Sequence, residues 1–280
     1  MSGMEITLFR PDPPERVQAV SSKSDVHRLL ICAALADAPT VISCPDRNAD
    51  ILATVRVLTA LGAGISYENG TYSVLPIQTL PDGEVLLDCG ESGSTLRFIL
   101  PVAAALGVPA RLIGQGRLLA RPMRPLTDCL CAHGAKICAG DDGIWLRGRL
   151  APGCYEISGN ISSQYITGLL FALPLLDGPS RIVLTAPLES APYVDLTLAA
   201  LSRFGISVGV SAEGYGIVPA RLHTPQTLCA QGDWSGAAFW LASGAIGPHP
   251  VRVEGLDPDS CQGDREICGL LSRFGAQVEW

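Results

Sequence analysis

The sequence predicts an α/β protein built from a repeated unit of about 70 residues, in the order helix, strand, helix, strand, strand. Two motifs that recur together support this class. One is an apolar segment that ends at a glycine, as in "LTALGAGI" and "LSRFGISV". The other is a serine followed by two or three apolar helical turns. The glycines are Gly62, Gly134, Gly205 and Gly275, and the serines are Ser24, Ser94, Ser163 and Ser235.

Each glycine motif has the form of a helix end followed by a strand. Glycine readily adopts the left-handed conformation that closes many helices. The first three strands continue into predicted hairpins, with turns at Asn69–Gly70, Asp142–Gly143 and Glu213–Gly214. Each serine-marked helix is followed by a predicted strand, in turn "TVISC", "ARLIG", "SRIVLT" and "VRVEG".

The phase of the units predicts two domains. Three complete units form a domain over residues 19–229. Residues 230–280 begin a fourth unit and stop just inside the strand after "LSRFGA". We expect residues 1–18 and 230–280 to form part of a second domain, truncated after its first repeat, with "MEITLFRP" pairing with it.

Composition narrows the class of protein. The chain is 48% hydrophobic and 17% charged, which is typical of a globular protein. Its net charge of −7 argues against a nucleic-acid-binding protein. The ten cysteines occur without a CxxC pair and the four histidines lack metal-ligand spacing, so we expect no metal site and reduced thiols packed as small hydrophobic groups. No apolar run reaches about 18 residues, so a cytoplasmic protein without membrane spans is expected.

Cations occupy helix starts where the helix dipole favours acidic residues. Lys23 and Arg28 lie at the serine-marked helix start of the first unit, and Arg97 lies in the same region of the second. Such cations cost a few tenths to about 1 kcal/mol unless an anion offsets them. Simple capping explains each serine alone, but the repeated cations favour a site for an anionic ligand. Arg121, before Pro122, adds a group suited to phosphate or carboxylate.

Six ordered motifs complete the pattern: "SSKSDVHR", "GESGSTLRF", "ARPMRPL", "GNISSQY", "ESAPYVDLTL" and "CQGDREI". With these motifs the chain resembles the 5-enolpyruvylshikimate-3-phosphate synthases (3-phosphoshikimate 1-carboxyvinyltransferases) of the enolpyruvyl transferase family. The resemblance covers essentially the whole chain and roughly the first two thirds of the family's usual length. It implies an inverse α/β barrel fold, with two domains of three repeats each and the active site in the cleft between them.

The resemblance also implies a reaction. The enolpyruvyl group of phosphoenolpyruvate is transferred to the 5-hydroxyl of shikimate 3-phosphate, and phosphate is released. This step belongs to the shikimate pathway of aromatic amino acid biosynthesis. The resemblance implies a monomer that needs no metal or organic cofactor and binds neither nucleic acid nor membrane.

Residue roles follow from the same motifs. Lys23 is the candidate catalytic residue, for proton transfer and charge stabilisation. Gly93 lines the phosphoenolpyruvate pocket, where glyphosate also binds. The expected contacts of shikimate 3-phosphate are Lys23, Ser24, Arg28, Ser162, Ser163, Gln164, Ser190 and Tyr193. The expected contacts of phosphoenolpyruvate are Lys23, Gly93, Arg121 and Gln164.

One departure from the family pattern leads to a further expectation. The acidic residue that handles the 5-hydroxyl proton follows the "QGD" segment in the family, and Asp264 does not replace it because it matches that segment itself. We therefore expect weak substrate binding and little turnover from these 280 residues alone. A non-catalytic fragment is one alternative. A UDP-N-acetylglucosamine enolpyruvyl transferase is another, disfavoured because Ser24 follows Lys23 where an asparagine is usual and residues 114–122 contain no cysteine.

Overall fold

The computed structural model describes residues 14–280, which divide into two compact units. The larger unit contains residues 21–231 and 261–263. The smaller unit contains the described residues up to 20, together with 232–260 and 264–280. The predicted pairing of "MEITLFRP" lies outside the described residues.

The described residues form eight α-helices. They are α1 (Lys23–Ala34), α2 (Ala49–Ala60), α3 (Gly93–Leu106), α4 (Arg124–Ala132), α5 (Ser163–Ala172), α6 (Ala191–Arg203), α7 (Trp234–Ile246) and α8 (Ile267–Arg273). Four of them, α1, α3, α5 and α7, are the helices that the serine-marked apolar segments predicted. Two short 3₁₀ helices span Leu173–Leu175 and Gly263–Glu266.

Fourteen short strands accompany the helices in residues 14–280, and they include the four predicted after the serine-marked helices. The strands are β1 (Arg16–Gln18), β2 (Thr40–Ser43), β3 (Gly64–Glu68), β4 (Thr71–Leu75), β5 (Val85–Asp88), β6 (Ala110–Ile113), β7 (Lys136–Gly140), β8 (Gly143–Arg147), β9 (Cys154–Ile157), β10 (Ser180–Leu184), β11 (Val208–Ser211), β12 (Gly214–Ile217), β13 (Thr227–Cys229) and β14 (Arg252–Glu254).

The strands of the larger unit form three four-stranded sheets with one pairing pattern. The strand orders are β13-β2-β4-β3, β5-β6-β8-β7 and β9-β10-β12-β11. In each sheet the first two strands are parallel and the remaining neighbours are antiparallel. Strand β13, late in the chain, pairs with the early strand β2, which closes the unit on itself. The predicted α/β class is therefore confirmed.

Three helices fill the interior of the larger unit. Helices α1, α3 and α5 are buried along almost their whole length, and α3 packs most extensively against α5. Gly168 of α5 makes this approach possible, because a Cβ there would overlap the backbone carbonyl oxygen of Arg97 in α3. The apolar segments after the predicted helix starts thus form the core that holds those starts in place.

Gly168→Ala is expected to destabilise the protein by about 1–3 kcal/mol, because the new methyl group meets backbone that cannot move cheaply. The loss would occur although alanine is favoured over glycine in a helix by about 1 kcal/mol. Urea unfolding of both proteins measures it. Gly269→Ala is the matched control, since the nearest atom there is the flexible end of Glu266. Equal midpoints for Gly168→Ala and the unmodified chain would contradict the packing argument.

The motif glycines adopt the predicted left-handed conformation, but two of the three predicted hairpin turns lie at other residues. Gly62, Gly134, Gly205 and Gly275 all have positive φ, between 80° and 110°. The Asn69–Gly70 turn is confirmed by the pairing on either side of it. The other two turns lie one residue earlier, at residues 141–142 and 212–213, so the predicted Asp-Gly and Glu-Gly positions are wrong. Gly214 instead begins β12, where a Cβ would overlap the carbonyl oxygen of Ile182 in β10.

The smaller unit contains α7, α8 and the parallel pair β1–β14. Helix α7 is apolar on all sides, yet only Trp234 and Ala237 are buried in it. Phe239 is 79% exposed and Ile246 is 88% exposed. The predicted strand start after "LSRFGA" is wrong, because residues 276–280 find no hydrogen-bonded strand partner in the described part of the chain.

The cysteines are free thiols in this structure, and only half of them are buried. The buried ones are Cys32, Cys44, Cys89, Cys129 and Cys268, and the exposed ones are Cys131, Cys138, Cys154, Cys229 and Cys261. The prediction of packed thiols is therefore wrong for the exposed set, most of which lie at element ends or on strands whose alternate side chains face solvent. Across residues 14–280, we find no helix with the length and apolar character that crossing a membrane requires.

Candidate active site

Serines precede the first residues of the three buried helices. Ser22, Ser92 and Ser162 lie before α1, α3 and α5. Ser92 Oγ accepts a hydrogen bond from the Thr95 N–H at 3.2 Å, and Ser162 Oγ accepts one from the Gln164 N–H at 3.3 Å. Ser22 Oγ is buried and has no hydrogen-bond partner among residues 14–280. Helix starts of this kind leave backbone N–H groups available to anions.

Lys23, the first residue of α1, has an acidic neighbour that the sequence analysis did not identify. Its Nζ lies 2.8 Å from Asp50 Oδ2, in the first turn of α2. The two side chains are 47% and 31% exposed, so solvent screens this ion pair. The contact holds the ammonium group at the surface of the unit, where a ligand can reach it.

Arg28 is buried one turn further along α1. Its Nε donates to Thr197 Oγ1 at 2.9 Å, and its Nη2 donates to the Tyr193 carbonyl at 2.6 Å. Its third hydrogen bond goes to the Ser24 carbonyl. Burial lowers the pKa of Arg28 to about 10, which leaves the guanidinium charged at neutral pH. Arg28 therefore ties α1 to the start of α6, where Ser190 precedes the helix with a φ of 57°.

A second group of polar side chains joins α3 to α5. Arg97 Nη1 donates to Gln164 Oε1 at 2.5 Å, and Gln164 Nε2 donates to Ser94 Oγ at 2.9 Å. The Arg97 guanidinium also lies 5.6 Å from the centre of the Tyr165 ring. These contacts fix the Gln164 amide between the first turns of two helices.

Arg121 lies directly against the start of α3. A Cβ added to Gly93 would be only 2.6 Å from Arg121 Nη1, so the absence of a side chain at Gly93 leaves the space that the guanidinium occupies. An open pocket of about 300 Å³ lies beside it, lined by Arg117, Ala120, Arg121 and Pro122. We call Gly93, Ser94, Arg97, Arg121 and Gln164 the arginine cluster.

The arginine cluster carries two positive charges at the positive end of a helix. Burial lowers the pKa of Arg97, and the neighbouring Arg121 lowers it further, while the Tyr165 ring hydroxyl acts in the opposite direction. Within residues 14–280, neither guanidinium forms an ion pair with a carboxylate, and the first turn of α3 contains no acidic residue. This arrangement is unfavourable in isolation and favourable around an anion such as a phosphate or carboxylate group.

Similarity to known proteins identifies the family of this chain. The sequence model of the family described as EPSP synthase (3-phosphoshikimate 1-carboxyvinyltransferase) matches residues 14–280. The chain belongs to the EPSP synthase family. A relative from Clostridium kluyveri named 3-phosphoshikimate 1-carboxyvinyltransferase is 39% identical over 267 residues, which cover 94% of this chain and 62% of the relative. One of that name from Methanocorpusculum labreanum is 34% identical, covering 98% of this chain and 66% of the relative.

The fold is also that of a solved EPSP synthase. A 2.37 Å structure of EPSP synthase from Acinetobacter baumannii superposes with a TM-score of 0.79 at 23% sequence identity. The match covers 93% of this chain and 59% of that one. The chain therefore spans about 60% of the length of this structure and of the Clostridium kluyveri relative.

The structure brings some of the residues expected from the EPSP synthase resemblance together through direct contacts. Gly93, Arg121 and Gln164 meet in the arginine cluster, whereas Lys23 forms an ion pair with Asp50. Tyr193 is exposed and contacts Arg28 through its carbonyl group, and Ser190 is exposed beside it. The hydroxyl groups of Ser24 and Ser163 make no hydrogen bond within the described residues, with Ser24 half-buried and Ser163 buried.

Two residues of this region were missed as site residues. Arg97 was noted as a cation at a helix start but was given no role, and its contact with Gln164 requires the packing of α3 on α5. Asp50 gave no signal, because an acidic residue in the first turn of a helix is ordinary. Among residues 14–280, no group of three or more metal-ligating side chains is present.

A buried chain of polar side chains lies beneath the helix starts and connects α1, α2 and α3. His27 Nδ1 lies 2.7 Å from Thr54 Oγ1, which in turn lies 2.7 Å from Thr95 Oγ1. Thr95 Oγ1 donates to Ser92 Oγ, the cap of α3, at 2.8 Å. Burial, together with the positive charges of Arg28 and Lys23, lowers the pKa of His27 to about 3, although Asp50 acts in the opposite direction. The imidazole is therefore neutral at physiological pH.

Proposed function

We propose that this chain provides much of the active site of an enzyme that transfers the enolpyruvyl group of phosphoenolpyruvate to the 5-hydroxyl of shikimate 3-phosphate, with release of phosphate. One observation carries the proposal. In a chain of the EPSP synthase family, two guanidinium groups lie at the start of α3 and no carboxylate of the described residues pairs with them. The phosphate and carboxylate groups of an enolpyruvyl donor are anions of the kind that guanidinium groups bind.

Phosphoenolpyruvate is proposed to bind at the arginine cluster. Arg121 offers a planar pair of N–H donors to its phosphate or carboxylate group, and Gly93 lets that guanidinium lie directly against the start of α3. Gln164, oriented by Arg97 and Ser94, would contact both substrates. Lys23 would approach from the adjacent helix start.

Shikimate 3-phosphate is proposed to bind along the starts of α1, α5 and α6. The hydroxyls of Ser24, Ser162 and Ser163 and the exposed Tyr193 would contact the phosphate and ring. Ser190 and Gln164 complete the set. Arg28 is proposed as a further contact, and in the structure its hydrogen bonds to Tyr193 and Thr197 support the α6 side of this surface.

In the proposed reaction, protonation of the donor methylene and attack by the 5-hydroxyl give a tetrahedral ketal, which eliminates phosphate. Lys23 is the proposed proton donor and charge stabiliser, because its ammonium group is partly exposed and held in position by Asp50. Arg121 and the helix N–H groups would stabilise the phosphate as negative charge moves onto it. The proposed reaction uses no metal or organic cofactor.

We further propose that the smaller unit is part of a second domain, and that residues 19–229 form the complete three-repeat domain. Helix α7 supports this, because a helix that is apolar on all sides normally lies inside a domain, yet most of α7 is exposed. Residues supplied by that second domain would complete catalysis, so these 280 residues alone are expected to turn over slowly or not at all.

We also propose that the protein is a monomer and that it acts in the cytoplasm.

Isothermal titration calorimetry with shikimate 3-phosphate and with phosphoenolpyruvate tests the proposal, together with a phosphate-release assay. The assay is run on these 280 residues alone and on a mixture with the part of the Clostridium kluyveri relative that this chain does not cover. We expect measurable substrate binding by the chain alone, and phosphate release only in the mixture. No binding of either substrate to chain or mixture would overturn the proposed function, and full turnover by the chain alone would overturn the two-domain part.

A further inference from the structure

A second cavity, which shares no lining residue with the arginine cluster, lies at the free edge of one sheet. Its volume is about 490 Å³, within the range of small-molecule sites. Strand β7, the edge strand of the sheet β5-β6-β8-β7, supplies half of its lining. The lining residues are Cys131, Lys136, Ile137, Cys138, Trp145 and Arg147.

The cavity is positively charged. Lys136 and Arg147 are directly opposite each other on the antiparallel strands β7 and β8, and like charges in that position repel. Within residues 14–280, Arg147 pairs with Glu84 at 3.5 Å, and the two side chains are 73% and 41% exposed, so solvent weakens this pair. Lys136 forms no ion pair within residues 14–280, and no lining residue is acidic. An anion between the two cations would relieve their repulsion.

A thiol lies on the same face as these cations. Cys138 is opposite Trp145, two residues along each strand from the Lys136–Arg147 pair, and side chains two residues apart share a face. Cys131, from the end of α4, lines the same cavity. Both cysteines are exposed free thiols, so a dissolved reagent can reach them. The cavity thus combines cations that attract an anion with a nucleophilic sulfur beside them.

We propose that Cys138 is a site of reversible thiolation by anionic low-molecular-weight disulfides, which Lys136 and Arg147 attract to the cavity. The Cys138 thiol loses its proton to water, and the thiolate attacks one sulfur of the disulfide RS–SR. The protein–S–SR bond forms as the S–S bond of the reagent breaks, and the electron pair leaves with RS⁻. The protein sulfur is oxidised and the reagent is reduced, so excess thiol reverses the reaction.

Peptide mass mapping after brief treatment with oxidised glutathione tests this site. Oxidised glutathione is anionic, and cystamine is a cationic disulfide of the same chemistry. With oxidised glutathione we expect Cys138 to be modified about five-fold or more faster than the exposed Cys154 and Cys229, because two nearby cations raise the local concentration of the anion. With cystamine this preference is expected to disappear.

Variants of the exposed cations provide the matched comparison. Lys136→Gln with Arg147→Gln is expected to remove the preference for the anionic reagent, whereas Arg203→Gln, on α6, leaves it unchanged. Cys131→Ser removes the other thiol of the cavity, and we expect Cys138 to be modified at the same rate in this variant. Equal rates at Cys138, Cys154 and Cys229, or a preference that survives in the double variant, would overturn the proposal. The test is independent of substrate binding at the arginine cluster.

Discussion

Replacing Arg97 and Arg121 together by glutamine is expected to weaken phosphoenolpyruvate binding by about 100-fold or more. Each guanidinium can give a charge-assisted contact worth about 1.5–3 kcal/mol, and about 1.4 kcal/mol corresponds to a factor of ten in affinity. The two groups lie together at the start of α3, and neither is paired with a carboxylate of residues 14–280. Calorimetric titration measures the change.

Arg124→Gln is the matched control for this experiment. Arg124 lies three residues after Arg121, is 89% exposed, and is paired with Asp128 in its own helix. Its replacement is expected to leave the affinity within about two-fold, since exposed pairs of this kind contribute little. Thermal unfolding of each variant shows whether the fold is retained. A folded double variant that binds phosphoenolpyruvate as tightly as the unmodified chain would exclude the arginine cluster as the anion site.

Acidification is expected to destabilise the protein through His27. The pKa of His27 is about 3 in the folded chain, whereas an unfolded chain protonates histidine near pH 6.5. Below pH 6.5 the unfolded state therefore binds a proton that the folded state excludes. The stability that neutral His27 contributes is fully present above pH 6.5 and is lost as the pH falls towards 3, by about 1.4 kcal/mol per pH unit.

His27→Asn removes this contribution, so the free energy of unfolding of the variant should fall less steeply between pH 6 and pH 4 than that of the unmodified chain. His249→Asn is the control, because His249 is exposed at the surface. Urea unfolding at each pH gives the slopes. Parallel slopes for the unmodified chain and His27→Asn would show that the buried imidazole does not control acid stability.

Much of the architecture could be predicted from local chemistry. The four motif glycines took the positive φ that a helix end requires, because only glycine accepts it without a steric cost. The Asn69–Gly70 turn was predictable because both of its residues accept positive φ. The turns at residues 141–142 and 212–213 were not, since Gly143 and Gly214 are needed where a neighbouring strand approaches the backbone, and that approach is a property of the sheet.

The candidate site also has a part that the sequence predicts and a part that it does not. The cations beside the serines at helix starts depart from the charge preference of the helix dipole, and they indicated an anion site. The residues that contact these cations could not be predicted from the sequence. Asp50 beside Lys23, Arg97 beside Gln164, and the burial of Arg28 against α6 each join residues far apart in the chain.

The sequence by itself thus determined the repeated α/β unit, the helix starts and the sign of the charge placed there, because spacing, capping and turn chemistry act over a few residues. The tertiary structure alone decided which cations pair, which are buried, and which remain without a carboxylate of residues 14–280 to offset them. The physical reason is that ion pairing and desolvation depend on the packing of α1, α3, α5 and α6 against one another, which brings distant segments to within hydrogen-bond distance.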